Sequence, residues 1–236
     1  MNDLSGTAGR VISFLLLCWA MPILFHEIQQ NGAELGVWRV HEPEAWFGQQ
    51  LEISEPEREN LARLKSVRHR REWWASRLLL HRMSGREVRG KVLKDENGKP
   101  RLEDSEYEIS LSHSGEFVAV LAAPFAVGID IQRLVPKITR LAPKFMRPEE
   151  SACLESDTMI EQLHVFWGAK ESLYKAHAKR SLDFKTHILI DPFHYQRTGG
   201  SFRGRLNIGA TERFFELQYR LIQNYVLVYA FETSDH

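Results

Sequence analysis

The sequence is poor in cysteine, has no net charge and contains no apolar run that crosses a membrane comfortably. Only Cys18 and Cys153 occur in 236 residues. Two thiols make neither a disulfide framework nor a cysteine zinc site, and their scarcity fits a reducing compartment. Lys and Arg total 31, as do Asp and Glu. No broad attraction to nucleic acid or to an anionic membrane follows, although local basic clusters remain. No low-complexity segment is present, and no repeat shows by residue identity. What is left is an ordinary globular composition, 43% hydrophobic and 26% charged, in a chain long enough for one substantial core or two small ones.

The front of the chain departs from that composition. Residues 11–25 are apolar, but the run is short for a span and Pro22 interrupts it. Arg10 ahead of it and Cys18-x-Ala20 inside it resemble a signal peptide with a small-residue cleavage site. The preferred reading is a translation start at Met21, with residues 1–20 read through from upstream sequence; an amphipathic appendage is a third reading. The first two give the same mature chain, beginning near Met21.

From Thr158 to Lys179 there is no proline and one glycine, and Ile160, Leu163, Phe166, Trp167, Leu173 and Tyr174 recur with helical spacing. The stripe also carries Lys170 near its centre and Glu171 at its edge, and Lys175 follows Glu171 by one turn. Charges turned toward an interior need partners, and a metal-bound anion is a good one. Upstream, Val127-Gly128-Ile129-Asp130-Ile131-Gln132 alternates as a short strand. Asp130 and Gln132 then share a face, where their oxygens can converge on a hard cation. Taken singly, these are a surface aspartate and a solvated Glu–Lys pair. Together in one chain they carry more.

The pair G-[IV]-D-x-[EQ] and W-x-x-K-E-[AS]-x-x-K resembles the signature of the 4′-phosphopantetheinyl transferases, in their longer Sfp-type branch. Gly98-Lys99-Pro100, then Ser110-Leu111-Ser112-His113-Ser114, then the Glu-Glu segment at Phe145–Glu150 stand in the family's order. The similarity runs from Gly36 to Ile190. It implies an α+β fold of two similar α/β-sandwich-like halves related by a pseudo-twofold axis, with the cofactor between them. The expected division is 1–20 as an extension, 21–115 as the first half and 116–236 as the second, which carries the metal site.

Elsewhere the pattern is coarser. Gly36–Val40 reads as a strand. A helix starts at Ser54, with Pro56 in its first turn and Glu57 completing a capping box. Its pattern continues through Leu61, Leu64 and Val67 and resumes, after the basic cluster Arg68–Arg71, through Trp74 and Leu78 to Gly85. Asp95–Pro100 is a turn. Tyr107–Ser112 and Phe117–Ala122 read as a hairpin, and Pro148 opens another helix. The remainder is strand-rich over 184–190, 203–207, 214–219 and 225–231, with turns at Gly199-Gly200 and Gln223-Asn224. Cys153 has no activating neighbour and reads as a small helix-face residue.

The resemblance assigns roles to these pieces. It implies Mg²⁺ held by Asp130, Gln132 and Glu171, with Gln132 standing where the family commonly has Glu. Coenzyme A, the co-substrate, would meet Arg70, Arg71 or Arg77 at its 3′-phosphate, because guanidinium groups suit phosphate. A solvated basic face is the competing reading of those arginines. Gly98, Lys99 and Pro100 would line its adenine side. Ser112, His113, Lys170 and Lys175 would approach its phosphates. Glu171, Lys175 and Glu150 are the catalytic candidates, Glu150 in preference to Glu149 as a base. The implied acceptor is an apo acyl or peptidyl carrier protein serving fatty-acid, polyketide or nonribosomal-peptide synthesis. The implied setting is cytoplasmic, with a monomer, no nucleic acid and no stable membrane association. Two competing readings are a coenzyme-A-binding homologue that has lost catalysis and a membrane-anchored interaction protein using residues 11–25.

Overall fold

The structure, a computed structural model, describes residues 23–178 and 182–233. The proposed leader, the Met21 start and the end of the long helix at Lys179 lie outside the described residues. The chain is α+β, built on two antiparallel sheets.

The first sheet takes β1 (Ile23–Ile28), β2 (Glu34–Arg39), β3 (Val92–Lys94), β4 (Pro100–Leu102), β5 (Glu108–Ser114) and β6 (Phe117–Ala123), in the spatial order β1-β2-β6-β5-β4-β3. Between β2 and β3 come α1 (Glu44–Gln50), α2 (Glu55–Ala62) and α3 (Val67–Ser84). The second sheet takes β7 (Val127–Arg133), β8 (Ile188–Ile190), β9 (Gly200–Ile208), β10 (Thr211–Ile222) and β11 (Tyr225–Thr233), in the order β7-β11-β10-β9-β8. Between β7 and β8 come α4 (Ile138–Phe145), α5 (Pro148–Ser151) and α6 (Met159–His177).

Strand alternation sets the layers. On β6, Val118, Val120 and Ala122 join Trp74, Leu78 and Leu79 of α3 in one core, while Phe117, Ala119 and Leu121 face the second sheet. On β7, Val127, Ile129 and Ile131 meet them there, together with Leu227 and Tyr229 of β11. The other face of β11, through Val226, Val228 and Ala230, packs with Leu163, Phe166, Ala169 and Leu173 of α6. The order through the molecule is therefore α3, sheet, sheet, α6.

Two glycines let α6 come close. A Cβ on Gly128 of β7 would run into the carbonyl of Ser172, and one on Gly168 would sit 2.7 Å from Val228 Cγ2. These are the glycines of the two sequence motifs. Both are needed for close approach of helix and strand.

Several expectations need correction. The boundary at 115/116 would put β6 in the second half, but the tight β5–β6 hairpin keeps β6 in the first sheet, paired with β2 and β5. The change of sheet falls at 124–126. The helix expected from Ser54 to Gly85 is two helices, because extended Ser66 caps α3 afresh after a break at 63–66. Of the strand expected over 184–190, only Ile188–Ile190 forms. Asp183 Oδ1 accepts from Lys185 N, Thr186 N and Thr186 Oγ1 and folds that segment into a turn. β1, α1, β3, β4 and α4 were not expected.

Candidate functional site

The centre of the site is where β5, β7 and α6 meet. β7 is an edge strand, so its amides at Ile129, Ile131 and Arg133 have no neighbouring strand. Serine hydroxyls of β5 take their place: Ser110 Oγ accepts from Ile129 N at 3.0 Å, Ser112 Oγ from Ile131 N at 3.1 Å and Ser114 Oγ from Arg133 N at 3.1 Å. A period of two in S-L-S-H-S thus matches a period of two in the edge it covers.

Ser112 does more than cover an amide. Its hydroxyl donates to Asp130 Oδ1 at 3.0 Å and accepts from Lys175 Nζ at 3.1 Å. Lys175 also donates to Asp130 Oδ1 at 2.8 Å and to Ile129 O at 2.7 Å. Asp130 is 8% exposed and is held in one orientation by a strand of the first sheet, β5, and by α6. Gln132 Nε2 donates to Asp130 Oδ2 at 3.2 Å and to His164 O at 3.1 Å. The amide nitrogen of Gln132, rather than its carbonyl oxygen, is what faces Asp130.

Glu171 belongs to this cluster electrostatically. Burial first, and then the charge of Asp130, push its carboxyl above the ordinary glutamate range, against the pull of Lys175. Two carboxylates with one lysine between them form a desolvated site short of positive charge.

The cluster opens onto two adjoining cavities that share Gly98, Pro100 and Leu111. The first, ≈ 220 Å³, lies between Gly98, Lys99 and Pro100 of one half and Tyr174 and Lys175 of α6. Lys99 is buried with its ammonium on Glu108 at 2.7 Å, and burial lowers its pKa. The second, ≈ 370 Å³, is lined by His69, Glu72, Trp73, Arg77, Ser112 and His113 among others. Arg77 is 7% exposed, and its guanidinium lies over the Trp73 ring at 4.2 Å. It donates to Ser76 Oγ at 2.9 Å and to Trp73 O at 3.4 Å, and Nε is unpartnered. Burial pulls its pKa down to about 10. A buried guanidinium without a carboxylate is poised for an anion.

Not every expected residue reaches this place. Arg71 donates to Glu42 O and Val40 O, and Arg70 pairs with Glu44 at 2.8 Å; neither lines these two cavities. Glu150 and Lys170 are together, but inside the second core. Lys170 Nζ is 2.9 Å from Glu150 and donates to Phe184 O and Ile188 O. Glu150 also accepts from Arg147 N and Ile190 N. Lys170 and Glu171 are neighbours on a helix, hence about 100° apart, and look to different sides. The pair Glu150–Lys170 tethers α5 and the start of β8 to α6 instead of lining the cavities. Sequence reasoning missed Glu72, Trp73 and Tyr174. Glu72 had a signal, as the one acid between Arg68 and Arg77.

Residues 126–230 match the sequence model of the family described as the 4′-phosphopantetheinyl transferase superfamily. The chain is also similar to 4′-phosphopantetheinyl transferase gsp of Aneurinibacillus migulanus, at 35% identity over 89 residues. That match covers 36% of this chain and 37% of the relative, so it spans a little over a third of each. The family match contains β7 and α6, and with them Asp130, Gln132, Glu171 and Lys175.

Proposed function

We propose, from the premise that residues 126–230 belong to the 4′-phosphopantetheinyl transferase superfamily, that the protein moves the 4′-phosphopantetheine arm of coenzyme A onto a serine of an apo acyl or peptidyl carrier protein. The observation that carries this reading is that Lys175, bonded to Asp130 and coupled by charge to Glu171, lines a cleft whose opposite wall is Gly98–Pro100.

The carrier's serine oxygen bonds to the β-phosphorus of coenzyme A, and the bond from that phosphorus to the bridging oxygen breaks. The bridging oxygen keeps the electron pair and leaves with 3′,5′-ADP, and the serine gives up its proton. Such transfers depend mostly on positioning and on charge. Lys175, fixed by three acceptors, places a cation at the phosphate oxygens. Arg77 and His113 hold the nucleotide's phosphates in the second cavity, and Gly98–Pro100 lines the neighbouring wall for the adenine. Glu171 is the carboxylate of this cluster placed to take the serine proton, since a raised pKa suits a base. Glu150, buried against Lys170, is not open to that role.

The donor set fits magnesium, which is commonly held by one or two carboxylates together with substrate phosphates. Asp130 and Glu171 would hold it, with Gln132 keeping Asp130 oriented. When bound, it offsets charge on the diphosphate oxygens. The reading places the protein in the cytoplasm as a monomer, beside carriers of fatty-acid, polyketide or nonribosomal-peptide synthesis. Among the described residues, no helix is long and apolar enough to cross a membrane.

A second reading rests on the amide of Gln132 beside Asp130: a coenzyme-A-binding homologue without transfer. One experiment separates them. Incubated with coenzyme A, Mg²⁺ and a panel of apo-carriers, the enzyme adds one phosphopantetheine, ~340 Da by formula, to its carrier by positioning-type chemistry. Coenzyme A binding with no mass gain on any carrier would favour the second reading.

A further inference from the structure

Glu72 is the unexplained charge of the second cavity. It is 3% exposed, and neither of its oxygens is satisfied by a well-directed hydrogen bond. A buried carboxylate in that state is costly, because its lost hydration is not replaced. Two groups approach it. Arg68 Nε is 3.5 Å away on a side chain that is 61% exposed, one helical turn back. His113 Nδ1 is 3.1 Å away, across from β5, on a side chain that is 54% exposed. The ring of His69 stands 6.3 Å from that of His113 on the same cavity wall.

A bare carboxylate inside an anion-binding cleft would repel its ligand. One that sits deeper than an imidazole acts differently: it accepts the Nδ1 proton, fixes the tautomer and plane of the ring, and leaves Nε2 for the ligand. The exposures have that order, with His113 toward solvent and Glu72 beneath it. We propose that Glu72 is a positioning residue that acts through His113, aiming its Nε2 at a phosphate of the bound nucleotide. The identity of the ligand rests on the coenzyme A reading above; the hold on the ring rests on the 3.1 Å approach of Nδ1 to the buried carboxylate, from which a turn of the exposed ring makes the hydrogen bond.

The test therefore has two parts. The first is ring-nitrogen NMR of the ligand-free protein, at a pH well above the ordinary histidine range. His113 should carry its proton on Nδ1 in the wild type and in Glu72→Gln, which keeps an oxygen acceptor. In Glu72→Leu it should pass to the Nε2–H tautomer. The second is titration with adenosine 3′,5′-bisphosphate. Glu72→Leu and His113→Ala should each weaken binding roughly tenfold. The double variant should bind no more weakly than His113→Ala, as expected for residues acting in series. Additive losses, or a His113 tautomer indifferent to Glu72→Leu, would overturn the proposal. A wild type that ignores the bisphosphate would overturn the coenzyme A reading instead, and the ring-nitrogen result would still decide for or against Glu72. If Glu72→Leu does not fold, Glu72→Ala removes the acceptor with a smaller side chain and supplies the same two measurements.

Discussion

The two long helices treat their buried polar groups in opposite ways. On α6, Gln162, His164, Lys170 and Ser172 are all buried and all bonded. Gln162 joins Glu155 N to Thr158 Oγ1. His164 pairs with Ile160 O and accepts from Val135 N. Lys170 has Glu150 and two carbonyls, and Ser172 has Val228 O. On α3, both oxygens of Glu72, Trp74 Nε1, Arg77 Nε and His81 Nδ1 are buried without a hydrogen bond. Helices of nearly equal length thus hold one finished network and one unfinished one. Of these, Glu72 and Arg77 line the second cavity, and native interiors rarely leave such groups unbonded. α6 carries a satisfied core network together with Glu171 and Lys175; α3 leaves polar groups open beside the second cavity.

The strongest way to break that contrast is at the cluster itself. Asp130→Ala and Glu171→Ala should each abolish phosphopantetheine transfer in the mass assay while circular dichroism stays native. Wild-type-like turnover by either would remove the assignment. Next comes the same lesion made on both helices. Lys170→Met leaves Glu150 buried without its cation and should lower unfolding free energy by about 3–5 kcal/mol in urea melts. Arg77→Met removes a buried cation that has no carboxylate. It should leave the stability of the ligand-free protein unchanged or higher, while raising the KM for coenzyme A by roughly tenfold or more. Equal destabilisation by both would erase the distinction.

The first half also has a finished pair, Glu57 with Arg89, so the openness of α3 is not a property of that half as a whole. Glu57 is 1% exposed and accepts from Arg89, Ser54 N and Val92 N. Despite opposing burial, these bonds hold its pKa at about 2, against 4.5 ordinarily. A depressed folded value means stability that is present above pH 4.5 and lost as pH falls toward about 2. Glu57→Gln should cost about 3 kcal/mol at neutral pH and flatten that stretch of the stability–pH curve. The smallest effect is expected at Gln132. Gln132→Glu should keep or raise transfer, since a bound Mg²⁺ would meet the added negative charge. A folded but inactive variant would give the amide's bonds to Asp130 and His164 O a more particular role.

The parts of the Asp130–Gln132–Glu171–Lys175 cluster were legible because each obeys a local period. Alternation on β7 placed Asp130 and Gln132 on one face, and one turn of helix joined Glu171 to Lys175. The α+β class came with the family resemblance, and the strand and helix patterns agreed with it. What stayed hidden depends on three dimensions. Lys170 looked like a phosphate ligand because a charge in an apolar stripe needs a partner; its partner, Glu150, is brought by a separate short helix. Arg68 to Arg71 looked like a clamp, but α1, which no periodicity announced, takes up Arg70, and the carbonyls of Val40 and Glu42 take up Arg71. Glu72 could be seen as an oddity in a basic run, though nothing along the chain says that His113 folds over it.

The hydroxyls of Ser110, Ser112 and Ser114 have one more consequence. A rim strand such as β7 offers bare amides to any passing chain, the usual starting point of edge-to-edge aggregation. Here the rim is sealed by side chains rather than by another strand, which leaves the backbone of β5 free for its own sheet. A slip of one residue would set Leu111 and His113 against those amides and leave them unanswered. The same three small groups therefore guard the molecule's solubility and keep its two sheets in step.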